Sequence, residues 1–444
     1  MMNAIPQKTA VVGFGVTGQA AARFVSATGG TPVIIDTRPQ PQVELPAGAQ
    51  CFFEQRSWPD IQVAEGILSP GLSLDSCLVR GARAAGVKLI SDIDVFFRHV
   101  EAPVVGITGT NGKSTVTSWV AHCLSRAGLS APAGANLGEA ALDLALQAAD
   151  VYVLELSSFQ LERSQHHNFR VATVLNVSSD HLDQHGDMAA YAAAKQRITR
   201  AAEIVVVNRD DAASAPPEHS GRLVSFGTQP PVGDDDWGIV VDDDIRYLYR
   251  GAERVLAVSD LSLSGEHNVD NALATAAIAS QFISLELIAL GLNSFSGLPH
   301  RFEQVATHAG VTYINDSKAT NVGATVAALS GFERDGRVIL LAGGDAKGAD
   351  LGELQDALRG RIKCIVALGK DAPAFVQLAA DLGLPCERVD SLQQAVARAV
   401  NTATEGDTVL LSPACASLDM FANYMQRGLE FRDAVLAHIE GERL

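Results

Sequence analysis

The stretch VVGITGTNGKSTV, residues 104–116, is the strongest structural signal in the chain. An apolar run leads into a glycine-bearing loop, and the loop leads into residues that begin a helix. Gly109 and Gly112 let backbone amides approach phosphate oxygens, and the helix N-terminus attracts negative charge. Lys113 adds a formal charge near the terminal phosphates, and the Ser114 hydroxyl is suited to Mg²⁺. The stretch therefore predicts a parallel α/β sheet with a triphosphate loop at a strand end.

The loop departs at one position from the common G-x-x-x-x-G-K-S pattern. Ile107 stands where the first glycine is expected, and Gly106 lies one residue earlier. A glycine-rich turn without a ligand is the alternative reading. The Lys-Ser-Thr sequence at the helix start, residues 113–115, favours the phosphate loop over that alternative.

A second glycine-rich turn lies near the N-terminus. The stretch VVGFGVTG places Gly13, Gly15 and Gly18 in a G-x-G-x-x-G pattern after an apolar strand, and Asp36 ends the next strand. Taken alone, this pattern predicts a dinucleotide-binding fold and a nicotinamide-dependent enzyme. The chain therefore carries two candidate phosphate-binding loops.

Composition limits the class of protein. The chain has 444 residues, of which 47% are hydrophobic and 19% charged, with a net charge of −17. Such a chain can bury the cores of two or three domains. The negative charge argues against a nucleic-acid partner, which requires a basic patch.

The sequence also predicts where the protein works. The N-terminus lacks the pattern of a signal peptide, and no run of about 20 apolar residues predicts membrane insertion. We therefore expect a cytoplasmic protein. The cysteines form no C-x-x-C pair, and we expect all of them to be reduced and buried. They are Cys51, Cys77, Cys123, Cys364, Cys386 and Cys415.

Strand-like and helix-like runs alternate almost throughout, which predicts three α/β domains over residues 1–94, 95–298 and 299–444. Two acidic turns, GDDDWG and VDDDIRY, flank a short β segment in the second of these. A solvated hairpin is the favoured interpretation of these turns, and an acidic metal site is the alternative.

Several polar residues follow predicted strands. Glu155 comes at the carboxyl end of a buried strand, where open α/β sheets bind ligands, although an exposed residue capping the strand is equally consistent. The loop NVSSDHLDQHG contains Asp180, His181, Asp183 and His185. Because Mg²⁺ prefers oxygen ligands, His181 is an unusual candidate for a metal site.

Other candidates are weaker when considered one at a time. Lys195 lies among alanines in a helical pattern, and a solvated lysine is the default interpretation. Asn268 and Asn271 share one helix face and could bind a purine edge or cap the helix. Polar and cationic loops at strand ends of the third domain are candidate anion clamps. Their residues are Arg301, Asp316, Lys318, Thr320 and Lys347.

The order of these segments resembles the ATP-dependent Mur ligases over essentially the whole chain. The matching segments are GITGTNGKST, ELSSFQL, NVSSDHLDQHG, AAKQRI, GEHNVDNALA, LPHRFE, NDSKATN and SPACASLDMF. The short N-terminal domain and the last of these segments look like the D-glutamate-adding branch of the family.

The resemblance implies a fold and an activity. The fold would comprise a Rossmann-like N-terminal domain, a central P-loop ATPase-type domain and a Rossmann-like C-terminal domain. The activity would be ATP-dependent addition of D-glutamate to UDP-N-acetylmuramoyl-L-alanine in peptidoglycan synthesis, with Mg²⁺ as cofactor. A carboxylate activated as an acyl phosphate would be attacked by the amine of D-glutamate. A monomer is expected.

The resemblance also implies roles for individual residues. Those matching ATP contacts are Gly109, Thr110, Asn111, Gly112, Lys113, Ser114, Thr115, Asn268, Asn271, Arg301, Asp316 and Lys318. Those matching metal positions are Ser114, Glu155, His181 and Lys195, and of these the last three, with Lys113, match catalytic positions. Lys195 matches a lysine that is carbamylated in related ligases, and a carbamate supplies the oxygen ligand that an ammonium cannot.

Two further sets would hold the substrates. Those matching the UDP-substrate site are Val16, Thr17, Thr37, Arg38, Gly71, Asn136, Ser157, Gln160 and His181. Those matching the D-glutamate site are Thr320, Lys347, Ser417 and Tyr424. Tyr424 stands where the family resemblance leads us to expect phenylalanine.

Three alternatives remain. One is another amide-forming ligase of the superfamily, adding L-alanine, a diamino acid, or glutamate to folate. The Asp-Asn-Pro-Arg segment expected of the diamino-acid-adding enzyme is missing from the sequence. The second is a nicotinamide-dependent oxidoreductase, which leaves the triphosphate loop unexplained. The third is a non-catalytic nucleotide-binding scaffold, which leaves the charged candidates without a role.

Overall fold

The computed structural model of the protein describes residues 7–165, 167–180, 182–217, 219 and 221–441. It comprises two compact units, Met1–Leu261 with Asn271–Ser294, and Ser262–Asp270 with Phe295–Leu444. Within the described ranges, no helix is both long enough and apolar enough to cross a membrane.

The first unit begins with a five-stranded parallel sheet. Its elements are β1 (Lys8–Val12), α1 (Val16–Ala27), β2 (Thr31–Ile35), β3 (Gln50–Phe52), β4 (Glu65–Leu68), α2 (Cys77–Ala84), β5 (Lys88–Ser91) and α3 (Asp92–His99). The strand order is β3-β2-β1-β4-β5. Gly18 of α1 packs against the preceding loop so closely that a Cβ there would lie 1.9 Å from the Gly13 carbonyl oxygen.

A nine-stranded sheet forms the rest of the first unit. Its strands are β6 (Val104–Thr108), β7 (Ala133–Ala135), β8 (Tyr152–Glu155), β9 (Val171–Val174), β10 (Ile204–Asn208), β11 (Arg222–Phe226), β12 (Trp237–Asp242), β13 (Ile245–Arg250) and β14 (Glu253–Ala257). The order is β14-β13-β12-β11-β10-β9-β6-β8-β7. The pairing is parallel except for two pairs, β12 with β13 and β13 with β14, which are antiparallel.

Helices lie between and after these strands. They are α4 (Lys113–Arg126), α5 (Ala141–Leu144), α6 (Ser158–Arg163), α7 (Leu182–His185), α8 (Met188–Gln196), α9 (Glu266–Ala279) and α10 (Leu285–Ser294). The last of them but one, α9, begins in the segment that belongs to the second unit. Short 3₁₀ helices span Arg197–Thr199, Ala212–Ser214 and Val258–Asp260.

The two sheets of the first unit share one apolar core. The ring of Phe96 in α3 lies 5.2 Å from that of Tyr152 in β8, edge to face. The neighbouring Phe97 makes the same kind of contact with Phe169, at 5.0 Å. Aromatic pairs of this geometry add to the stabilisation from buried area. The helix α3 therefore anchors the N-terminal sheet to the larger one.

The second unit contains a six-stranded sheet. Its elements are β15 (Glu303–His308), β16 (Val311–Asn315), α11 (Val322–Ser330), β17 (Val338–Gly343), a 3₁₀ helix (Leu351–Leu354), α12 (Gln355–Leu358), β18 (Ile362–Leu368), α13 (Ala372–Leu382), β19 (Cys386–Arg388), α14 (Leu392–Thr402), β20 (Thr408–Leu411) and α15 (Tyr424–Gly441). The order is β15-β16-β20-β17-β18-β19. Only β15 pairs antiparallel, and apolar clusters pack on the sheet.

The predicted parallel α/β class is confirmed, and so is the acidic hairpin. Its strands β12 and β13 pair antiparallel across Asp243 and Asp244, both in the left-handed region with φ of 49° and 62°. Such a turn matches the twist of a two-residue hairpin.

The prediction that all cysteines are buried is wrong. Cys123 and Cys415 are buried, Cys51 is exposed, and the other three lie between these extremes. Cys51 is exposed because β3 is a three-residue strand at the edge of its sheet, so one side of it has no neighbour.

Candidate active site

The phosphate loop follows β6 at the point where the strand order of the sheet reverses. Strands β8 and β9 flank β6 on opposite sides, which is where open α/β sheets form ligand crevices. Gly112 is the N-cap residue just before helix α4 and has φ of 78°, a conformation that other residues adopt only at a cost. A Cβ on Gly112 would lie 2.4 Å from Oδ1 of Asn271. The glycine is thus required for both backbone shape and space, and Ser114 and Thr115 lie buried in the first helical turn.

A residue that sequence reasoning missed holds the loop in shape. Oδ1 of Asn176 accepts hydrogen bonds from the amide nitrogens of Thr110 (3.2 Å) and Asn111 (2.8 Å). Its Nδ2 donates to the Asn111 carbonyl oxygen at 3.2 Å. The signal available in the sequence was a short amide side chain just after the buried strand β9, a position typical of ligand-site loops.

Two lysines converge on one carbonyl of the loop. The Nζ atom of Lys113 donates to the carbonyl oxygens of Gly109 (2.9 Å) and Thr110 (2.7 Å). The Nζ atom of Lys195 donates to the same Gly109 oxygen at 2.7 Å. Lys195 is only 1% exposed, so its interpretation as a solvated lysine is wrong. Helix α8 turns the face that carries this residue inward.

Burial gives Lys195 unusual acid–base behaviour. Burial, helped by the like charge of Lys113, lowers the pKa of Lys195 from 10.5 to about 6, although Asp180 and Glu155 oppose the shift. The Nζ atom of Lys195 also lies 4.4 Å from the ring centroid of Tyr191. Burial raises the pKa of the Tyr191 phenol to about 12. At neutral pH the lysine is therefore mostly a neutral amine.

Glu155 is buried, with 3% exposure, so the alternative of an exposed strand cap is wrong. Its Oε2 accepts a short hydrogen bond from the Ser114 hydroxyl. Its Oε1 accepts one from Nδ2 of Asn136 at 2.8 Å. The structure thus brings three predicted site residues from different elements together at the end of the phosphate loop.

Oxygen donors of this kind are what Mg²⁺ requires, and the carboxylate of Glu155 with the hydroxyl of Ser114 fits that ion. Across the described residues, no group of three or more His, Cys, Asp and Glu side chains could hold a metal. His181 lies outside the described residues. A complete ligand set would therefore need oxygens from elsewhere, such as the substrate phosphates.

The predicted substrate residues Ser157 and Gln160 have a structural role as well. They form a reciprocal capping box at the start of α6, with Gln160 N donating to Ser157 Oγ at 3.2 Å and Ser157 N to Gln160 Oε1 at 3.0 Å. Such a box satisfies amides that the helix leaves unpaired. The side chains are therefore held in fixed positions.

The N-terminal loop is built around Asp36, which is 3% exposed. Its Oδ2 accepts from the Phe14 amide at 2.6 Å, and its Oδ1 accepts from Nε of Arg38 at 3.0 Å. Burial raises the pKa of Asp36, but hydrogen bonds from Arg38 and the backbone outweigh it, so the net shift is downward. The other predicted residues of this site lie on the surface or partly exposed: Val16, Thr17, Thr37 and Gly71.

In the second unit, Asp316, Lys318 and Thr320 share the loop after β16. Oδ2 of Asp316 accepts from Ser412 Oγ at 2.9 Å, and burial raises the pKa of this carboxyl to about 7, with hydrogen bonds and Arg301 opposing. The Nζ atom of Lys318 lies 4.1 Å from the ring centroid of Tyr424. Two of the predicted substrate-binding groups are thus in direct contact.

The loops that carry Lys347 and Ser417 are joined. The amide of Asp345 donates to the Ala416 carbonyl at 3.0 Å and the amide of Ala416 donates back at 2.9 Å. Lys347 adopts φ of 52°, and its amide donates to Oδ1 of Asp345 at 2.9 Å. Strain of this kind at a lysine is common at functional sites.

A second missed residue supports these loops. Arg427 of α15 is 2% exposed and donates to the Ser317 and Cys415 carbonyl oxygens at 2.8 and 3.1 Å. Burial lowers the pKa of Arg427 to about 10. The sequence offers no signal for it, because an arginine in an amphipathic helix ordinarily faces water.

The asparagines of α9 differ in their surroundings. Asn268 is 6% exposed and its Nδ2 donates to the Ser264 carbonyl at 2.8 Å, which stabilises the start of the helix. Asn271 lies against Gly112, as described above. Asn268 thus bonds to the backbone just before the helix, and Asn271 borders the phosphate loop. The choice between helix capping and purine binding stays a prediction.

The fold and these loops define an α/β nucleotide-binding protein of the phosphate-loop class. Three family models match the chain: the N-terminal domain of MurD-like Mur ligases at residues 7–91, the Mur ligase middle domain at 107–279, and the Mur ligase glutamate ligase domain at 300–415. Curated relatives match almost the whole length as well. The chain belongs to the Mur ligase family.

Two of these relatives are named UDP-N-acetylmuramoylalanine–D-glutamate ligase. The Shewanella oneidensis protein is 42% identical over 97% of this chain and 98% of its own. The Marinobacter nauticus protein is 42% identical with the same coverage.

Solved structures share the fold. A pseudomurein peptide ligase type C from Methanothermus fervidus has a TM-score of 0.66 at 20% identity, covering 97% of this chain and 100% of its own. The UDP-N-acetylmuramate-alanine ligase from Thermotoga maritima has a TM-score of 0.64 at 19% identity, covering 97% and 99%.

Proposed function

We propose that this protein is an ATP-dependent ligase that adds D-glutamate to UDP-N-acetylmuramoyl-L-alanine during peptidoglycan synthesis. The observation that carries the proposal is near-full-length similarity to relatives of that name. The buried cluster of Ser114, Glu155 and Lys195 beside the phosphate loop supports it, because phosphoryl transfer depends on metal-binding oxygens and cations positioned around the phosphates.

The chemistry is carboxylate activation. An oxygen of the L-alanyl carboxylate attacks the γ-phosphorus of ATP, the bond to the bridging oxygen breaks, and ADP leaves. The amine of D-glutamate then attacks the acyl phosphate carbon and loses a proton, and the tetrahedral intermediate expels phosphate. Lys113 and the amides of the loop would neutralise charge on the transferring phosphoryl group.

Magnesium, when bound, would neutralise phosphate charge, with Ser114 and Glu155 of the described residues supplying oxygens. We assign His181 and Lys195 to the same centre by the family resemblance. Asn136 supports the arrangement because its amide holds the second oxygen of Glu155. That hydrogen bond keeps the carboxylate turned toward the phosphate loop.

We propose that Lys195 is carbamylated in the working enzyme. Its neutral amine attacks the carbon of CO₂, an N–C bond forms, and one amine proton leaves to solvent. The low pKa of about 6 supports this step, because only the unprotonated amine is a nucleophile. The product carries a negative charge beside Lys113, which replaces repulsion between two cations by attraction.

We further assign the remaining candidates by resemblance. Asn268, Asn271, Arg301, Asp316 and Lys318 would contact ATP. Thr320, Lys347, Ser417 and Tyr424 would hold D-glutamate. The N-terminal loop around Gly13 and Gly15 would hold the UDP diphosphate, with Arg38 beside it.

The three predicted domains, 1–94, 95–298 and 299–444, remain our proposal for how the chain divides. We propose that the protein works in the cytoplasm, because ATP and nucleotide-linked sugars are cytoplasmic metabolites. We also propose that it works as a monomer.

A phosphate-release assay with UDP-N-acetylmuramoyl-L-alanine, ATP and a panel of amino acids tests the function. We expect release to require D-glutamate and to be negligible with L-alanine, L-glutamate or a diamino acid. Stimulation by a different amino acid, with none by D-glutamate, would assign the protein to another branch. Folate without the UDP-sugar serves as the acceptor control.

A further inference from the structure

Arg163 connects the large sheet to a loop of the N-terminal sheet. It is the last residue of α6, it is half-buried, and its Nη1 donates to the Ser69 carbonyl oxygen at 2.9 Å. Ser69 directly follows β4 and begins the short loop that contains Gly71. This loop packs on the glycine turn after β1, because a Cβ on Gly13 would lie 2.9 Å from Cβ of Ser69. Arg163 therefore bonds to the loop that packs against the N-terminal glycine turn.

Two buried carboxylates of α3 lie near the end of α6, and one of them interacts with the same guanidinium. Asp92 and Asp94 lie at the start of α3 with exposures of 2% and 4%, and Asp92 attracts the charge of Arg163. Oδ1 of Asp94 accepts from the Gln165 amide at 2.8 Å, two residues after Arg163. Glu162 is the other acidic group near the guanidinium. The end of α6 is thus tied to the N-terminal sheet by a hydrogen bond, a charge pair and a backbone contact.

The same short helix is tied to the segment that carries Lys195. Arg197, two residues beyond it, donates from Nε to the Leu161 carbonyl at 2.7 Å and from Nη2 to the Ser164 carbonyl at 3.0 Å. Nε2 of His185 lies 3.0 Å from Ser158 Oγ at the other end of α6. The helix α6 is therefore fixed at both ends, and its first turn holds Ser157 and Gln160.

We propose that Arg163 is a positioning residue that fixes the distance between the diphosphate-binding loop and the first turn of α6, so that the enzyme selects substrates by the length between a nucleoside diphosphate and a terminal carboxylate. This inference rests on the proposed function. The two ends of such a substrate would lie on different sheets. Because the Arg163 contacts hold those sheets at a fixed distance, binding of the diphosphate would align the distant carboxylate.

The test uses two acceptors, UDP-N-acetylmuramoyl-L-alanine and its shortened form that ends in the sugar 1-phosphate. Arg163→Met removes the hydrogen bond to Ser69 and the positive charge, whereas Arg163→Lys keeps a donor and a charge. Arg23→Met is the matched control, because Arg23 also joins the two sheets, through a pair with Asp143 on α5 at 2.6 Å, but its side chain is 51% exposed. Phosphate release and urea unfolding are measured for each protein.

We expect Arg163→Met to lower kcat/KM for the full acceptor by about 10- to 100-fold, as for loss of one hydrogen bond to a charged group. Its kcat/KM for the shortened acceptor and its KM for ATP should stay within about twofold of the parent. Arg163→Lys should recover part of the loss, and Arg23→Met should match the parent.

An equal loss with both acceptors, or no loss with either, would overturn the inference and leave the proposed function standing. If Arg163→Met does not fold, the ratio between acceptors in Arg163→Lys decides. A parent enzyme that does not use the full acceptor with D-glutamate would overturn both.

Discussion

Replacing Lys195 by methionine removes a titratable amine from a site closed to water and keeps a side chain of similar length. In the folded protein the pKa of this lysine is lowered from 10.5 to about 6. The folded state therefore binds fewer protons than the unfolded state between these two values. Stability rises with pH across that window, and the penalty for burying the lysine is lifted above pH 10.5.

The magnitude follows from the size of the window. At pH 7.5 the unfolded lysine lies three units below its ordinary pKa of 10.5, which corresponds to about 4 kcal/mol for neutralising it on folding. The hydrogen bond to Gly109 offsets about 1 kcal/mol of this. We expect the methionine variant to be more stable than the parent by about 3 kcal/mol near pH 7.5. The gain should shrink toward zero near pH 10.

Urea unfolding followed by tryptophan fluorescence measures this difference. All three tryptophans, Trp58, Trp119 and Trp237, lie in the first unit, so the signal reports the unit that contains Lys195. The titration is run near pH 6.5, 7.5 and 9.5 in CO₂-free buffer. Lys88→Met, at an exposed position of the same unit, is the matched control and should show no pH-dependent gain.

The same variant tests function. We expect its turnover to fall by about 10³-fold or more, because the carbamate oxygens are lost from the phosphate site. A stability gain that is equal at all three pH values would refute the titration argument. Turnover close to that of the parent would refute the role of Lys195 in the reaction.

Three further substitutions test other parts of the first unit. Gly112→Ala places a Cβ 2.4 Å from Oδ1 of Asn271 at φ of 78°, so calorimetry should show ATP affinity reduced at least about tenfold; an unchanged affinity would contradict the assigned loop. Asp92→Asn removes a carboxyl whose pKa is raised from 3.8 to about 6 by burial, so the folded state of the parent loses stability as pH rises through that range. The variant should therefore be about 3 kcal/mol more stable near pH 7.5, and a gain that persists below pH 4 in urea unfolding would argue against this cause. Asp36→Asn weakens the hold on Arg38 and should raise KM for the UDP-sugar about tenfold while KM for ATP stays constant; equal changes in both constants would indicate a general loss of structure.

The fold class could be predicted from local signals because the central strands are apolar runs that end at glycine or polar loops, whereas short edge strands such as β3 and β19 give no such signal. Strand β6 is an apolar run ended by a glycine loop, and the same holds for β1. Gly106 within β6 shows where local signals stop, because a Cβ there would meet the ring of Phe169 at 2.6 Å. The glycine needed for packing looks, in the sequence, like part of the phosphate loop.

The site was predictable only where chemistry and strand position coincide. Glu155 follows a buried strand, and its type and place indicate a ligand-facing carboxylate. Lys195 and Arg427 carry no such signal, since the sequence does not say which face of a helix turns inward. Their burial depends on partners distant in the chain, the Gly109 carbonyl in one case and the Ser317 carbonyl in the other. Periodicity cannot reveal such pairings.

The carboxylate at the end of the second strand shows how one motif serves a different ligand. In a dinucleotide-binding fold this acid contacts the ribose hydroxyls. Here both oxygens of Asp36 are engaged, by the Phe14 amide and by the amide and guanidinium of Arg38. A ribose could bind the carboxylate only by displacing that guanidinium. The pair instead holds a cation near the turn, 3.9 Å from where a Cβ on Gly15 would lie. NAD and a nucleotide sugar both carry a diphosphate, so a cation at this turn suits either. The loop disfavours NAD because the Asp36 carboxylate is no longer available to the ribose hydroxyls.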